Sequence, residues 1–258
     1  MALPASAPSA WLDELALLAR RAGAAVMEVY ASDFSVSGKA DASPVTEADV
    51  RAEAIIVAGL TALAPGIPVV AEEAMAAGAA PQIGQRFWLV DPLDGTREFI
   101  SRNGEFTVNI ALIEDGAPLA GVVYAPAIDQ LYAGWLGQGA FIEEAGVRRA
   151  MVFRKPPPEG LVVVSSRSHG DEATLRAYLA GRQVASVAYA GSSLKLCLIA
   201  NAQADLYPRF GRTMEWDIAA GHAVLAAAGG HVHRLDGSPL RYGKPGFENP
   251  HFVASGLA

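Results

Sequence analysis

The chain has 258 residues, 52% of them hydrophobic and 18% charged, and a formal net charge of −7. Such a composition supports one large core or two modest ones and argues against disorder, while the acidic balance argues against a general nucleic-acid binder, which would show a basic face. The single cysteine, Cys197, excludes a disulfide framework and suits a reducing compartment.

The opening stretch MALPASAPSA has no basic segment ahead of an apolar one, so no secretory signal is expected. No stretch approaches the roughly 20 apolar residues of a membrane span, and a cytoplasmic protein is the expectation. Ser9 is expected to cap a helix from about Trp11 to Tyr30, with Trp11, Leu15, Leu18, Ala22 and Val26 as its apolar stripe. SGKADASPVTEADV reads as a polar hairpin or loop. It leads into a second helix, about Ala48 to Leu63, closed by APG. IPVVAEE is expected to be a short strand finishing in two glutamates, and FWLVD the next strand.

The run from Phe106 to Glu144 alternates like a β-meander, with turns at Asp115-Gly116 and at Gly137 to Gly139. FRKPPPEG is the boundary candidate, because consecutive prolines continue neither a helix nor a central strand. It divides the chain into an α+β half, 1–157, and an α/β half, 158–258. In the second half LVVVSSRS and VASVAYAG read as strands around a helix from about Asp171. SLKLCLIANAQ is a helix, ADLYPR a short strand, and WDIAAGHAVLAAAGG a small-residue helix stopped by glycines. In that setting Cys197 reads as a buried small hydrophobe rather than a nucleophile.

Chemistry collects at DPLDGT. Pro92 has no N–H, so the strand ladder is expected to stop at Asp91. Asp91 and Asp94 can then face one point, where they repel unless a cation neutralises them. A hard divalent ion suits such oxygens, and the Leu93 carbonyl can add another. Gly95 permits a positive φ, after which the amides of Thr96, Arg97 and Glu98 open a helical turn suited to phosphate. Asp49, Glu72, Glu73 and Asp217 are further acids at element ends. Each alone reads as a cap or a solvated turn acid. Together they are carboxylates placed as the loop ends of an α/β core place them around a metal.

The motifs EE, WLVDPLDGT and WDIAAGHAVLAAAGG, in that order and covering about Lys39 to Gly230, closely resemble the inositol monophosphatase superfamily of magnesium-dependent, lithium-sensitive phosphatases. KADASPVTEAD, DPLDGTREFI, SSRSH, AGSSLKLCLIA and YPRFGRTMEWD resemble one branch of it, the 3′(2′),5′-bisphosphate nucleotidases of sulfur assimilation. The resemblance implies a layered αβαβα sandwich and two to three Mg²⁺ ions. It implies Glu72, Asp91 and the Leu93 carbonyl at a first ion, and Asp91, Asp94 and Asp217 at a second. Asp49 with Glu72 would serve a weaker third. Thr96 would help position the attacking water, with Glu72 and Asp49 completing the catalytic set. The Gly95 and Thr96 amides would hold the phosphate, and Asp217 would also face substrate.

Two metals can clamp the attacking and leaving oxygens of a displacement, which removes the need for a side-chain nucleophile. A bisphosphate approaching an acidic protein also needs a cation for its second phosphate. Lys195, Arg209 and Arg212 are the candidates, with Arg167 and His169 behind them; each can also be a solvated surface charge.

The expected reaction is removal of the 3′-phosphate of adenosine 3′,5′-bisphosphate, with its 5′-phosphosulfate analogue as a further substrate. The alternative is an inositol or sugar monophosphatase of the same superfamily. Haloacid-dehalogenase phosphatases are disfavoured, because their D-x-D-G-T has one residue between the acids and this chain has two. A sensor that binds without turnover would not be expected to keep Thr96 beside the full acid set. A nucleotide partner, no nucleic acid, no integral membrane segment, and a monomer or homodimer complete the expectation.

Overall fold

The computed structural model describes residues 8–38, 44–152, 154–167 and 172–256. His169, Phe153, Asp171 and positions 39–43 of the predicted polar loop lie outside them.

The first helix, α1 (Pro8–Tyr30), buries the predicted stripe. Ser9 lies inside its first turn rather than capping it. A short hairpin, β1 (Ser37–Gly38) and β2 (Pro44–Val45), precedes α2 (Glu47–Leu63). Thr46 caps α2: its hydroxyl accepts from the Ala48 amide, and the Asp49 carboxylate accepts from the Thr46 amide in return.

Strand β3 (Val69–Ala71) stops before the glutamates. Glu72 and Glu73 instead open a short helix, α3 (Glu72–Ala76). The cause is Glu53 of α2, whose carboxylate accepts from the amides of Glu73 and Ala74 at 2.8 and 2.9 Å and so caps the new turn.

The next strand, β4 (Arg86–Asp94), does not end at Asp91 either. It runs through Pro92 to Asp94, pairing Asp91 with Asn109 and Asp94 with Thr107. The two intervals differ by one residue, so Pro92 sits in a bulge, where its missing N–H breaks no ladder bond. After α4 (Thr96–Ile100) come β5 (Thr107–Glu114), β6 (Ala117–Ala125), β7 (Gln130–Trp135), β8 (Gly139–Glu144) and β9 (Val147–Ala150). Together they form a seven-stranded sheet, antiparallel except where β3 joins β4.

Beyond the proline segment, β10 (Leu161–Ser166), α5 (Glu172–Leu179), β11 (Val184–Ala190), α6 (Leu194–Ala200) and β12 (Leu206–Arg209) alternate, with β10 parallel to both β11 and β12. The small-residue helix α7 (Glu215–Ala227) follows. The C-terminal strands β13 (His231–Arg234) and β14 (Phe252–Ser255), which sequence patterning left unassigned, complete a five-stranded sheet in the order β11-β10-β12-β14-β13.

Alternation fixes the layering. Trp88, Val90, Val108 and Ile110 face α1 and α2, while Phe87, Leu89, Ala111 and Ile113 face α6 and α7. A side chain at Gly121 would lie 2.6 Å from the Ala220 carbonyl, so glycine is what lets α7 rest on the sheet. Beyond α6 and α7 lies the second sheet, and α5 covers its far side through Leu175. The result is an αβαβα sandwich. Cys197 is fully buried between layers, and burial pushes its thiol pKa up. Among the described residues no helix is long and apolar enough to cross a membrane.

Candidate active site

A cleft of about 520 Å³ opens between the bulged end of β4 and the N-terminal ends of α6 and α7. Glu72, Asp94, Gly95, Thr96, Glu98 and Asp217 line it. Lys195, Arg209, Arg212 and Ser192 belong to the same wall system. Three elements that are distant in sequence therefore converge as the motifs required.

The acid side is built locally. Gly95, with φ +93°, turns the chain from β4 into α4. The first amide of α4 to find a partner inside the helix is that of Phe99, donating to the Gly95 carbonyl. The Thr96 hydroxyl lies 3.4 Å from both the Asp49 carboxylate and the Leu93 carbonyl, so it sits between α2 and β4. Asp49, Asp91 and Leu93 are buried and are not among the residues lining the cleft. Asp49 gives its other oxygen to the α2 cap, and Asp91 accepts from the Leu93 amide at 3.0 Å. Asp217 stands in the first turn of α7 and accepts from the Met214 amide at 2.8 Å.

Burial raises the pKa of Asp94 to about 6. Lys195 and Asn109 oppose the shift, and Glu72 and Glu98 add to it. Asp217 is pushed well above the ordinary carboxylate range, first by burial and then by Asp94 and Glu72. Burial thus favours the neutral forms of Asp94 and Asp217, and their nearness to one another and to Glu72 adds to the effect. The donor set is all hard oxygen and fits Mg²⁺. Among the described residues no three acids are already drawn into one coordination sphere.

The basic side is uneven. Lys195 is buried, with Nζ 2.5 Å from the Ser192 carbonyl, and desolvation lowers its pKa to about 8 despite the charge of Asp94. Arg209 is buried and donates to the Arg212 carbonyl at 3.1 Å. Arg212 reaches solvent and pairs with Glu248 at 3.2 Å. Arg167 is drawn away: it forms a two-pronged pair with Glu105 at 2.7 and 3.0 Å, and its neighbour Ser166 lines the cleft in its place.

Sequence reasoning gave Glu98 a role only through its backbone amide and gave Ser192 none. Glu98 lay inside the quoted motif and is nearly buried on the cleft wall. Ser192 has φ +45°, rare for a residue with a Cβ, and its buried hydroxyl has no partner among the described residues. Its sequence signal was its place after Gly191 within the quoted AGSSLKLCLIA.

Residues 9–255 match the inositol monophosphatase family. A 3′(2′),5′-bisphosphate nucleotidase CysQ of Shigella flexneri is 53% identical over 95% of this chain and 99% of its own length. The protein of that name from Escherichia coli K12 is 52% identical with the same coverage. Among solved structures, CysQ from Bacteroides thetaiotaomicron, described as a bacterial member of the inositol monophosphatase family, superposes with a TM-score of 0.78 at 37% identity. That match covers 95% of this chain and 98% of the other. The motif order, the layered sandwich and the acid-lined cleft all belong to one lineage, and the chain is a member of the inositol monophosphatase family.

Proposed function

We propose that this chain is a Mg²⁺-dependent 3′(2′),5′-bisphosphate nucleotidase that removes the 3′-phosphate of adenosine 3′,5′-bisphosphate, with the 5′-phosphosulfate analogue as a second substrate, and that it serves sulfur assimilation. The observation that carries the reading is one cleft lined both by the acids Glu72, Asp94 and Asp217 and by the cations Lys195, Arg209 and Arg212. A monophosphate needs the acids alone; a bisphosphate uses both sets.

Glu72, Asp91, Asp94, Asp217 and the Leu93 carbonyl would hold two ions, and Asp49 with Glu72 a weaker third. Bound Mg²⁺ would neutralise these acids, polarise the phosphoryl group and lower the pKa of coordinated water toward neutrality. The chain's own groups do the rest. Thr96, held between Asp49 and the Leu93 carbonyl, orients the attacking water through its hydroxyl. The Gly95 and Thr96 amides hold the phosphate to be cleaved. Lys195, aided by Arg209 and Arg212, holds the other phosphate and fixes the nucleotide's direction in the cleft.

Li⁺ inhibition and a cytoplasmic location, which suits the single free thiol, belong to the same proposal. So does the division at 157/158: the first sheet is drawn wholly from residues 69–150 and the second from 161–255. Phosphate release with Mg²⁺ is to be measured on adenosine 3′,5′-bisphosphate, inositol 1-phosphate and fructose 1,6-bisphosphate. Preference for the first supports the assignment. Preference for inositol 1-phosphate would replace it with a monophosphatase.

A further inference from the structure

Strand β5 buries two polar side chains, Thr107 at its start and Asn109 inside its apolar run. Val108, Ile110 and Leu112 point to one face, Ala111 and Ile113 to the other, and Asn109 lies on the second face between Thr107 and Ala111. Its neighbour across the ladder is Asp91, at the start of the β4 bulge. Its amide nitrogen spans the bulge, lying 3.3 Å from the Asp94 carboxylate and 3.0 Å from the Ser193 hydroxyl. Ser193 passes the contact on, donating to the Asp217 backbone carbonyl at 2.6 Å. Asn109 and Ser193 are both buried.

Four residues thus form one chain of contacts, Asp94 to Asn109 to Ser193 to Asp217, running from the first sheet to the start of α7. The oxygen of the Asn109 amide has no partner among the described residues. A buried acceptor left unsatisfied opposes folding, so stability alone would favour an apolar residue here. The residue is better explained by what its nitrogen holds.

We propose that Asn109 is a positioning residue that sets the Asp94 carboxylate and, through Ser193, the first turn of α7 with Asp217, at the spacing a divalent cation needs. The inference rests on reading the cleft as a Mg²⁺ site. Hydrogen bonds from outside the coordination sphere orient ligating carboxylates, and their loss typically weakens metal binding by about 10- to 100-fold. Asn109 would act in this way on two ligands from different layers at once.

The test uses the full chain and Mg²⁺ alone. The Mg²⁺ dissociation constant is measured by calorimetry, and Tm is measured in chelator, for the parent, Asn109→Leu, Ser193→Ala and the double variant. Asn109→Leu removes the nitrogen and the stranded oxygen together at similar size. It should weaken Mg²⁺ binding by about 10- to 100-fold while leaving the chelator Tm equal or higher. Ser193→Ala should weaken binding by less, and the double variant should be no worse than Asn109→Leu, because both act along one chain.

Parent-like Mg²⁺ affinity in Asn109→Leu overturns the proposal. So does a loss of affinity accompanied by a large fall in chelator Tm, which marks a structural role. Should Asn109→Leu not fold, Ser193→Ala decides: weaker binding at unchanged Tm supports the proposal, and unchanged binding overturns it. A parent protein that takes up no Mg²⁺ rejects the metal reading of the cleft itself, a different outcome from unaltered binding in the variants.

Discussion

Asp91 and Glu73 have the same charge and lie near the same cleft, yet their surroundings predict different consequences. Asp91 is buried at the bulge, opposite Asn109, and is the side chain proposed to serve two ions. Asp91→Asn keeps its size and removes that charge. A loss of at least about 10³ in kcat is expected, some 4 kcal/mol of barrier. Glu73 opens α3, its amide bonded to Glu53, and is not among the residues lining the cleft. Glu73→Gln should cost far less; equal losses would mean that the glutamate or the bridging aspartate has been misassigned. Lys195 gives a second residue-level expectation. Its pKa is lowered to about 8, so in the free enzyme its charge is present below that pH and lost above it. For adenosine 3′,5′-bisphosphate, kcat/KM should therefore fall on the alkaline side of about pH 8. Lys195→Arg should move that limb upward, since a guanidinium stays charged. A limb that does not move assigns it to another group. Lys195→Ala should lower the bisphosphate activity by roughly 10- to 150-fold and leave a monophosphate nearly untouched, because a charge-assisted phosphate contact is worth about 1.5–3 kcal/mol.

Helix α7 is the element on which the site depends most, because it carries Asp217 in its first turn and rests on the sheet through small residues. Gly121→Ala would place a Cβ 2.6 Å from the Ala220 carbonyl and 2.7 Å from the Ala223 Cβ. Overpacking of this kind costs about 1–3 kcal/mol, or roughly 2–12 °C in Tm. Gly38→Ala, with nothing within 4 Å among the described residues, is the control and should leave Tm unchanged. Equal Tm values for the two would mean that α7 can shift without strain. The helix itself was legible in WDIAAGHAVLAAAGG, and so was the existence of a strand at FWLVD, because short-range periodicity and turn residues specify both. The path of β4 through Pro92 was not legible. Proline predicts a lost ladder bond, and only the partner strand reveals that a bulge absorbs the loss. Glu72 was likewise placed at a strand end, because the capping carboxylate of Glu53 comes from another helix. Asn109 did leave a trace, a polar residue in the alternating FTVNIALI, but its partners Ser193 and Asp217 are far along the chain and only folding brings them to it.

The cleft draws its acids and cations from several layers, Asp94 from the first sheet, Lys195 and Asp217 from the helices between the sheets and Arg209 from the second sheet, so closing the cleft and folding the protein are linked. Folding buries Asp94, raising its pKa to about 6, and raises Asp217 well above its ordinary value. A carboxylate whose folded pKa is raised binds protons better when folded. Its stabilising contribution is present below the unfolded pKa, near 4, and is lost as pH rises through the folded value. In chelator, these two acids should therefore make the protein less stable at pH 8 than near pH 5. His222 works in the opposite direction. Burial, with His233 and His231 nearby, lowers its pKa to about 3, so its contribution is lost as pH falls below about 6.5. Comparing parent with Asp217→Asn at each pH cancels that background. At pH 8 in chelator, Asp217→Asn should melt higher than the parent, because one of two repelling acids is gone. Added Mg²⁺ should reverse the order. A ligand at about a hundred times its dissociation constant stabilises by about 2.7 kcal/mol, and the parent should gain this while the variant gains little. Calorimetric melting at pH 5 and pH 8, with chelator and with Mg²⁺, reads all four states. If the variant melts below the parent in chelator at pH 8, Asp217 supports the fold through the Met214 amide more than it burdens it. If both gain equally from Mg²⁺, the cation binds without Asp217, and the cleft acids do not form the metal site proposed for them.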